Sequence, residues 1–227
     1  MSRARTAVFL MTAALSLPAS TVAAQTVEPA SRLELGAGVR WIGAEQLGAR
    51  TATETTGAGG TSALFNTSTD LAGAGGIDGR VAVRLSRSLA VEAEASYLKP
   101  QLRIAISGDA EGAAAVTAVE TIQQFTMGGS LIWRLPGRRW SPRFAPFATA
   151  GAGYLRQLHE QGTLVDTGHY YQFGAGVSSL LVATRRLHTR GIGVRADVRG
   201  LVRSMGVTVD GASKVSPAAG ASLFVRF

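Results

Sequence analysis

The chain has 227 residues, 46% of them hydrophobic, with 28 glycines and no cysteine, so a large folded body is within reach while disulfide frameworks and thiolate metal sites are excluded. A formal net charge of +8 and a sequence pI near 10.9 raise nucleic acid as a partner class. The N-terminus argues against it. Arg3 and Arg5 precede an apolar run from Ala7 to Leu17, and Val22, Ala23 and Ala24 form a small-residue cleavage site before Gln25. Residues 1–24 are therefore expected to be a cleaved secretory signal peptide, with 25–31 a short periplasmic leader. The apolar run is too short to cross a bilayer as a helix, and no later stretch approaches the roughly 20 apolar residues that a helix needs.

From residue 32 onward the sequence alternates with the period of a β-strand. Leu33, Leu35, Ala37, Val39 and Trp41 alternate with Glu34, Gly36, Gly38 and Arg40. Ile77, Val81, Val83 and Leu85 oppose Asp78, Arg80 and Arg84, and Leu89, Val91, Ala93, Ala95 and Tyr97 oppose Glu92, Glu94 and Ser96. Phe125, Met127, Leu131 and Trp133 share one face against Gln124, Thr126 and Ser130. Segments 143–156 and 169–182 are glycine-rich, and their facing is open by one residue. Ile192, Val194, Ala196, Val198 and Val202 oppose Arg195, Asp197, Arg199 and Arg203. In the closing stretch Ala219, Ala221, Leu223, Val225 and Phe227 lie on one side. Eight strands and no helix are predicted.

Alternation with charges on the second face has two physical readings. A water-soluble sandwich or calyx points its apolar face inward, whereas a transmembrane barrel turns that face to lipid and packs its polar side into the lumen. Four features favour the barrel. Connections alternate long and short: 44–72, 100–120, 157–168 and 204–215 are expected to be extracellular loops, separated by tight turns. The turns and their edges carry Arg87, Arg134, Arg138, Arg139, Arg143, Arg185, Arg186 and Arg190 without an acid, which suits anionic phospholipid headgroups. Trp41 and Tyr97 fall at upper strand ends and Trp133, Trp140, Phe144, Phe147 and Phe227 at lower ends, as interfacial belts require, with Phe125 alone mid-strand. Finally, Phe227 preceded by Val225 and Leu223 gives an aromatic-ended apolar strand that closes the sheet on itself and hides both edges.

With segments such as "RLELGAGVRWIG", "LAVEAEASYL" and "GVRADVRGL", the chain resembles the small eight-stranded bacterial outer-membrane β-barrel proteins, the opacity and adhesin-like class, over residues 32–227. The resemblance implies an all-β, eight-stranded antiparallel up-and-down transmembrane barrel in the outer membrane. It also implies that the assembly machinery reads Leu223, Val225 and Phe227 as a terminal signal. Nothing after Phe227 would supply a peptidoglycan-binding domain.

In that fold Glu34, Arg40, Asp78, Arg80, Arg84, Glu92, Glu94, Arg195, Asp197, Arg199 and Arg203 would share a narrow lumen as a structural salt-bridge network, because unpaired charges there are costly. An eight-stranded barrel is just wide enough for side chains to fill, so a plugged interior leads and a minor channel or small-solute carrier is the alternative. Lumen glycines fit either close packing around bulky side chains or a small cavity. An outer-membrane lipid deacylase would need a His and a Ser two apart on one strand face. His159, His169 and His188 are followed at that spacing by Gln161, Tyr171 and Arg190. Asp166 with His169 could pair in the third loop, a solvated arrangement more often than a catalytic one. No catalytic, cofactor or metal site is expected, and glycine strings lack the helix that phosphate binding needs. The expected partners are outer-membrane lipids, the outer-membrane assembly machinery and an extracellular ligand whose identity the sequence does not give, with no nucleic acid and a monomeric state.

Overall fold

The computed structural model describes residues 32–55, 57, 59–135, 144–159, 164–183, 191–205 and 213–227. The signal peptide and leader, Trp140, His188 and the turn residues Arg138, Arg139, Arg143, Arg185, Arg186 and Arg190 lie outside the described residues.

Among the described residues there are twelve strands: β1 (Leu33–Ile42), β2 (Glu45–Thr55), β3 (Thr61–Leu71), β4 (Ala74–Arg84), β5 (Leu89–Leu98), β6 (Gln101–Ser107), β7 (Val116–Thr121), β8 (Gln123–Arg134), β9 (Phe144–Leu158), β10 (Val165–Ala183), β11 (Gly191–Met205) and β12 (Lys214–Arg226). Eight of them close a barrel in the order β1-β12-β11-β10-β9-β8-β5-β4, every neighbour antiparallel. Closure is made by β1, which pairs β12 from Glu34↔Arg226 to Ile42↔Ala218 and β4 from Leu33↔Val83 to Ile42↔Ala74. Barrel formation leaves no free sheet edge, so all ladder groups are satisfied without water.

The remaining strands correct the expectation of two long loops. Segment 44–72 folds as the hairpin β2–β3 and segment 100–120 as β6–β7, and β3 pairs β6 to make a four-stranded sheet, β2-β3-β6-β7. This sheet continues from the upper end of the barrel, opposite Leu33 and Arg226. Leu47, Leu71, Leu102 and Ile122 are buried together beneath it with Ile104 against them. Backbone bonds Gly43 N→Pro217 O (2.8 Å), Ala72 N→Gln101 O (2.8 Å) and Ile122 N→Pro100 O (2.9 Å) knit its base to the barrel rim. The β-branched Thr51, Thr53, Thr61 and Thr67 carry strand propensity here. The β2–β3 register shifts between Gln46 and Gly48, where Gly48 takes a φ of 142° that a bulge tolerates best at glycine.

Barrel side chains divide by parity. Ile77 (64% exposed), Met127 (67%), Val198 (63%) and Leu223 (61%) stand on the outer wall, while Glu92 (0%), Arg195 (4%) and Gln172 (2%) are inside. A water-soluble barrel would bury the first group and expose the second, so the wall is built for hydrocarbon. The two open facings also resolve. Thr149, Leu155 and Gln157 of β9 and Tyr170, Gln172 and Ser178 of β10 point inward; Tyr154, Tyr171 and Phe173 point outward.

Two aromatic assignments change. Phe147 is not a belt residue: it is 2% exposed and lies inside, with the Arg195 guanidinium 4.2 Å from its ring centroid. Cation–π contact with a buried arginine holds it there. Phe125 is not mid-strand. β8 begins only at Gln123, which puts Phe125 near the upper end, opposite Tyr97 on the outer wall with ring centroids 4.7 Å apart.

Candidate functional site: the lumen and the sheet above it

The lumen is layered. At its lower end Ala90, Ile132 and Phe147 pack together, and Phe224 is buried. In its upper part Leu155, Tyr170, Leu201 and Ala218 form a second apolar layer with Ile42. Between these layers sit four arginines and four carboxylates. Arg199 bonds Glu94 and Asp197, each at 2.6 Å; Arg40 meets Glu94 at 3.3 Å; Arg80 reaches Asp197 at 3.2 Å and also pairs Asp78; Arg195 pairs Glu92 and lies 3.3 Å from Asp197. Arg40, Arg80, Arg195 and Arg199 against Asp78, Glu92, Glu94 and Asp197 make the layer electrically neutral. Gln172 joins it, donating to Glu94 (2.7 Å) and accepting from Arg199 (2.9 Å). Such pairing offsets the several kcal/mol that each isolated ion would cost in this dry interior.

The eleven residues singled out in the sequence thus separate into three groups. Eight form the neutral layer. Glu34 and Arg84 lie at the lower mouth, where Glu34 takes Arg226 at 2.9 Å and Arg134 at 3.6 Å, and Arg84 is half-buried. Arg203 lies at the upper mouth, 2.9 Å from Glu45, so this pair ties barrel strand β11 to sheet strand β2. Sequence reasoning missed Gln172 and Tyr170, whose strand it left open; the neighbouring polar Gln157 and Thr149 on β9 were the signal for the inward parity.

Glycines resolve toward close packing. A Cβ on Gly153 would come 2.5 Å from the Tyr170 ring, one on Gly176 2.5 Å from Phe147 and one on Gly193 2.3 Å from Phe224, so each bulky lumen side chain rests on a bare backbone. A cavity of about 30 Å³ remains among Arg40, Gln124, Thr126, Tyr170 and Arg203, room for a water or two.

Just past the end of β9 His159 sits between two carboxylates, Nδ1 2.9 Å from Glu120 and Nε2 3.2 Å from Asp166. Asp166 therefore pairs with His159, not His169, because β10 turns His169 to the outer wall beside Tyr154. Partial burial alone would lower the His159 pKa, but the two hydrogen bonds and acidic charges outweigh it and the pKa is raised. A raised pKa stabilises the folded form fully below the ordinary histidine range, and the contribution is lost as pH rises through the raised value. Proteolysis at the β9–β10 connection is accordingly expected to accelerate from about pH 5 to about pH 9, with the difference shrinking in His159→Gln. Equal cleavage rates at both pH values in the parent would refute the bridge. Among the described residues no group of three His, Asp or Glu is arranged to hold a metal ion.

A closed eight-stranded barrel with an apolar wall and a charged, filled interior defines a transmembrane β-barrel of the kind that only an outer membrane carries. The family model for the outer membrane protein beta-barrel domain matches residues 12–200, and the chain belongs to that family, which places it in the bacterial outer membrane. Among solved structures it is similar to Neisserial surface protein A (14% identity, covering 86% of this chain and 95% of that one, TM-score 0.49) and to the outer membrane protein OprG from Pseudomonas aeruginosa (10%, 86% and 95%, 0.44). It is also similar to Ail, the attachment invasion locus protein of Yersinia pestis, in complex with the heparin analogue sucrose octasulfate (10%, 85% and 99%, 0.37). No curated protein sequence matches the chain.

Proposed function

We propose that this protein is a non-conducting, non-enzymatic outer-membrane barrel, exported by a signal peptide cleaved after Ala24, that holds a β-sheet outside the cell as an interaction surface. The observation that carries the reading is the four-stranded sheet β2-β3-β6-β7, whose outer strands β2 and β7 pair with no further strand among the described residues. Val116 (61% exposed) and Val119 (56%) lie along β7, and an open strand edge with apolar side chains accepts an added strand from a partner. The orientation that sets this sheet outward puts the short turn at Ser86 and Ser88 in the periplasm. The neutral ion layer and the ~30 Å³ cavity favour a closed lumen over the channel reading. Planar-bilayer recording is expected to give a flat baseline for the purified protein. Steady openings that change when Arg199 is neutralised would replace this reading by the carrier.

Trp41 and Tyr97 above and Trp133 below belong, in this reading, to two interfacial belts. β12 presents Leu223, Val225 and Phe227 on the outer wall, and the Phe227 N–H bonds Leu33 O at 2.9 Å. This row is the feature read by the assembly machinery. Phe227→Ala is expected to lower the membrane-inserted fraction while export continues; insertion equal to the parent would remove the signal reading.

A further inference from the structure

On the lipid-facing side of the eight barrel strands, the described residues are apolar, small or neutral with one ionised exception, Arg156 of β9. Arg156 lies two residues from the upper end of β9, opposite Phe125 on β8 and Thr167 on β10. One step down the same face, Tyr154 faces Met127 and His169, and His169 faces Ser204 on β11. The Tyr154 and His169 rings meet edge-on at 5.9 Å. Directly opposed residues in an antiparallel sheet are about 5 Å apart and the next on the same face about 7 Å, so Arg156, Thr167, His169, Ser204 and Tyr154 form one contiguous patch. Toward β5 it runs into Phe125, Tyr97 and Lys99, whose ammonium stands 5.9 Å from the Tyr97 ring centroid.

We propose that this patch binds the headgroup of a phosphorylated lipid in the outer leaflet. The guanidinium has no ion-pair partner among the described residues, and the nearest acid along β10, Asp166, is engaged with His159. A cation on the lipid face is tolerated only near the interface, where headgroup phosphates lie. Arginine's planar fork matches phosphate with two parallel bonds, and the Thr167 and Ser204 hydroxyls and the His169 ring add donors beside it. Beside the patch at Met127 and below it at Tyr171 and Phe173 the wall is exposed and largely apolar, so the acyl chains of the same ligand have a surface to lie on. Free phosphate would use the first part of this surface and a protein partner neither part well. The leaflet rests on the orientation proposed above; the lipid chemistry does not.

The test uses the full mature chain in detergent and native mass spectrometry with dioleoylphosphatidic acid, with dioleoylglycerol as the acyl-matched lipid lacking phosphate. Phosphatidic acid is expected to be retained about tenfold better, as one or two charge-assisted hydrogen bonds give. Excess inorganic phosphate should displace it only weakly. Arg156→Gln with His169→Gln should bring both lipids to the same low retention, and Arg156→Lys should keep part of the preference. Photo-crosslinking of phosphatidic acid to the parent should mark the β9 and β10 peptides, a readout that needs no variant to fold. Equal retention of the two lipids by the parent, unchanged preference in the double variant, displacement by phosphate alone, or crosslinks confined to β1 and β12 would each overturn the proposal.

Discussion

Replacing Glu92 and Glu94 together by alanine is expected to destroy most of the barrel's resistance to heat, read as the gel shift between folded and unfolded forms. Glu92 and Glu94 are 0% and 5% exposed, and they hold Arg195, Arg199 and Arg40. Their loss leaves Arg40, Arg80, Arg195 and Arg199 facing only Asp78 and Asp197, so a neutral layer becomes doubly positive between two apolar layers that admit almost no water. Breaking one buried pair costs about 3–5 kcal/mol, and two coupled breaks approach the whole stability of a typical domain. Glu92→Gln with Glu94→Gln, which keeps the acceptors but not the charge, should fall between parent and double alanine. Removing Glu94 and Arg40 together should cost less than Glu94 alone, since the stranded cation leaves with its partner. A double alanine variant as heat-resistant as the parent would show that these carboxylates do not balance the lumen.

The barrel was legible because its strands write their facing twice, once in the apolar parity and again in the charged one. In β5 the run Ala90, Glu92, Glu94, Ser96, Leu98 is buried at every position, and the exposed residues between them are Val91, Ala93 and Ala95. In β9 and β10 the second copy is missing. Gly153, Gly174 and Gly176 occupy lumen positions without a side chain, because Tyr170, Arg199 and Phe147 fill the space they vacate, and Gly151 lies against Ser130. Both parities then read as apolar or small, and facing could not be fixed before the chain was folded. The strands β2, β3, β6 and β7 were hidden for another reason. Their Thr, Ser and Ala residues face water on most sides, so burial never imposes a strict alternation, and the shift at Gly48 breaks the parity that Leu47 begins. Phe147 misled through its position: near a strand end an aromatic suits a headgroup belt as well as a lumen floor, and only the Arg195 contact across the barrel decides.

A single arginine on the outer wall is expected to be nearly as damaging as the loss of a lumen acid. Ala196 is exposed near the middle of β11, opposite Ala221 on β12 and Val177 on β10, with no ionised residue beside it on that face. In Ala196→Arg the guanidinium enters hydrocarbon near the bilayer centre, where a basic residue on a barrel's lipid face costs about 2–4 kcal/mol. Ala196→Leu at the same place should be close to neutral, because the added side chain meets acyl chains of equal polarity. Moving the arginine up the same barrel wall to Thr167, beside the native Arg156, should reduce the cost to about 0–1 kcal/mol. A water-soluble calyx predicts no ranking by level, since an exposed arginine there would shift stability by no more than about 0.5 kcal/mol at any level. Urea unfolding in lipid vesicles separates the two: a depth-dependent penalty follows from a wall that faces acyl chains, and equal midpoints for the three variants would return the outer surface to water.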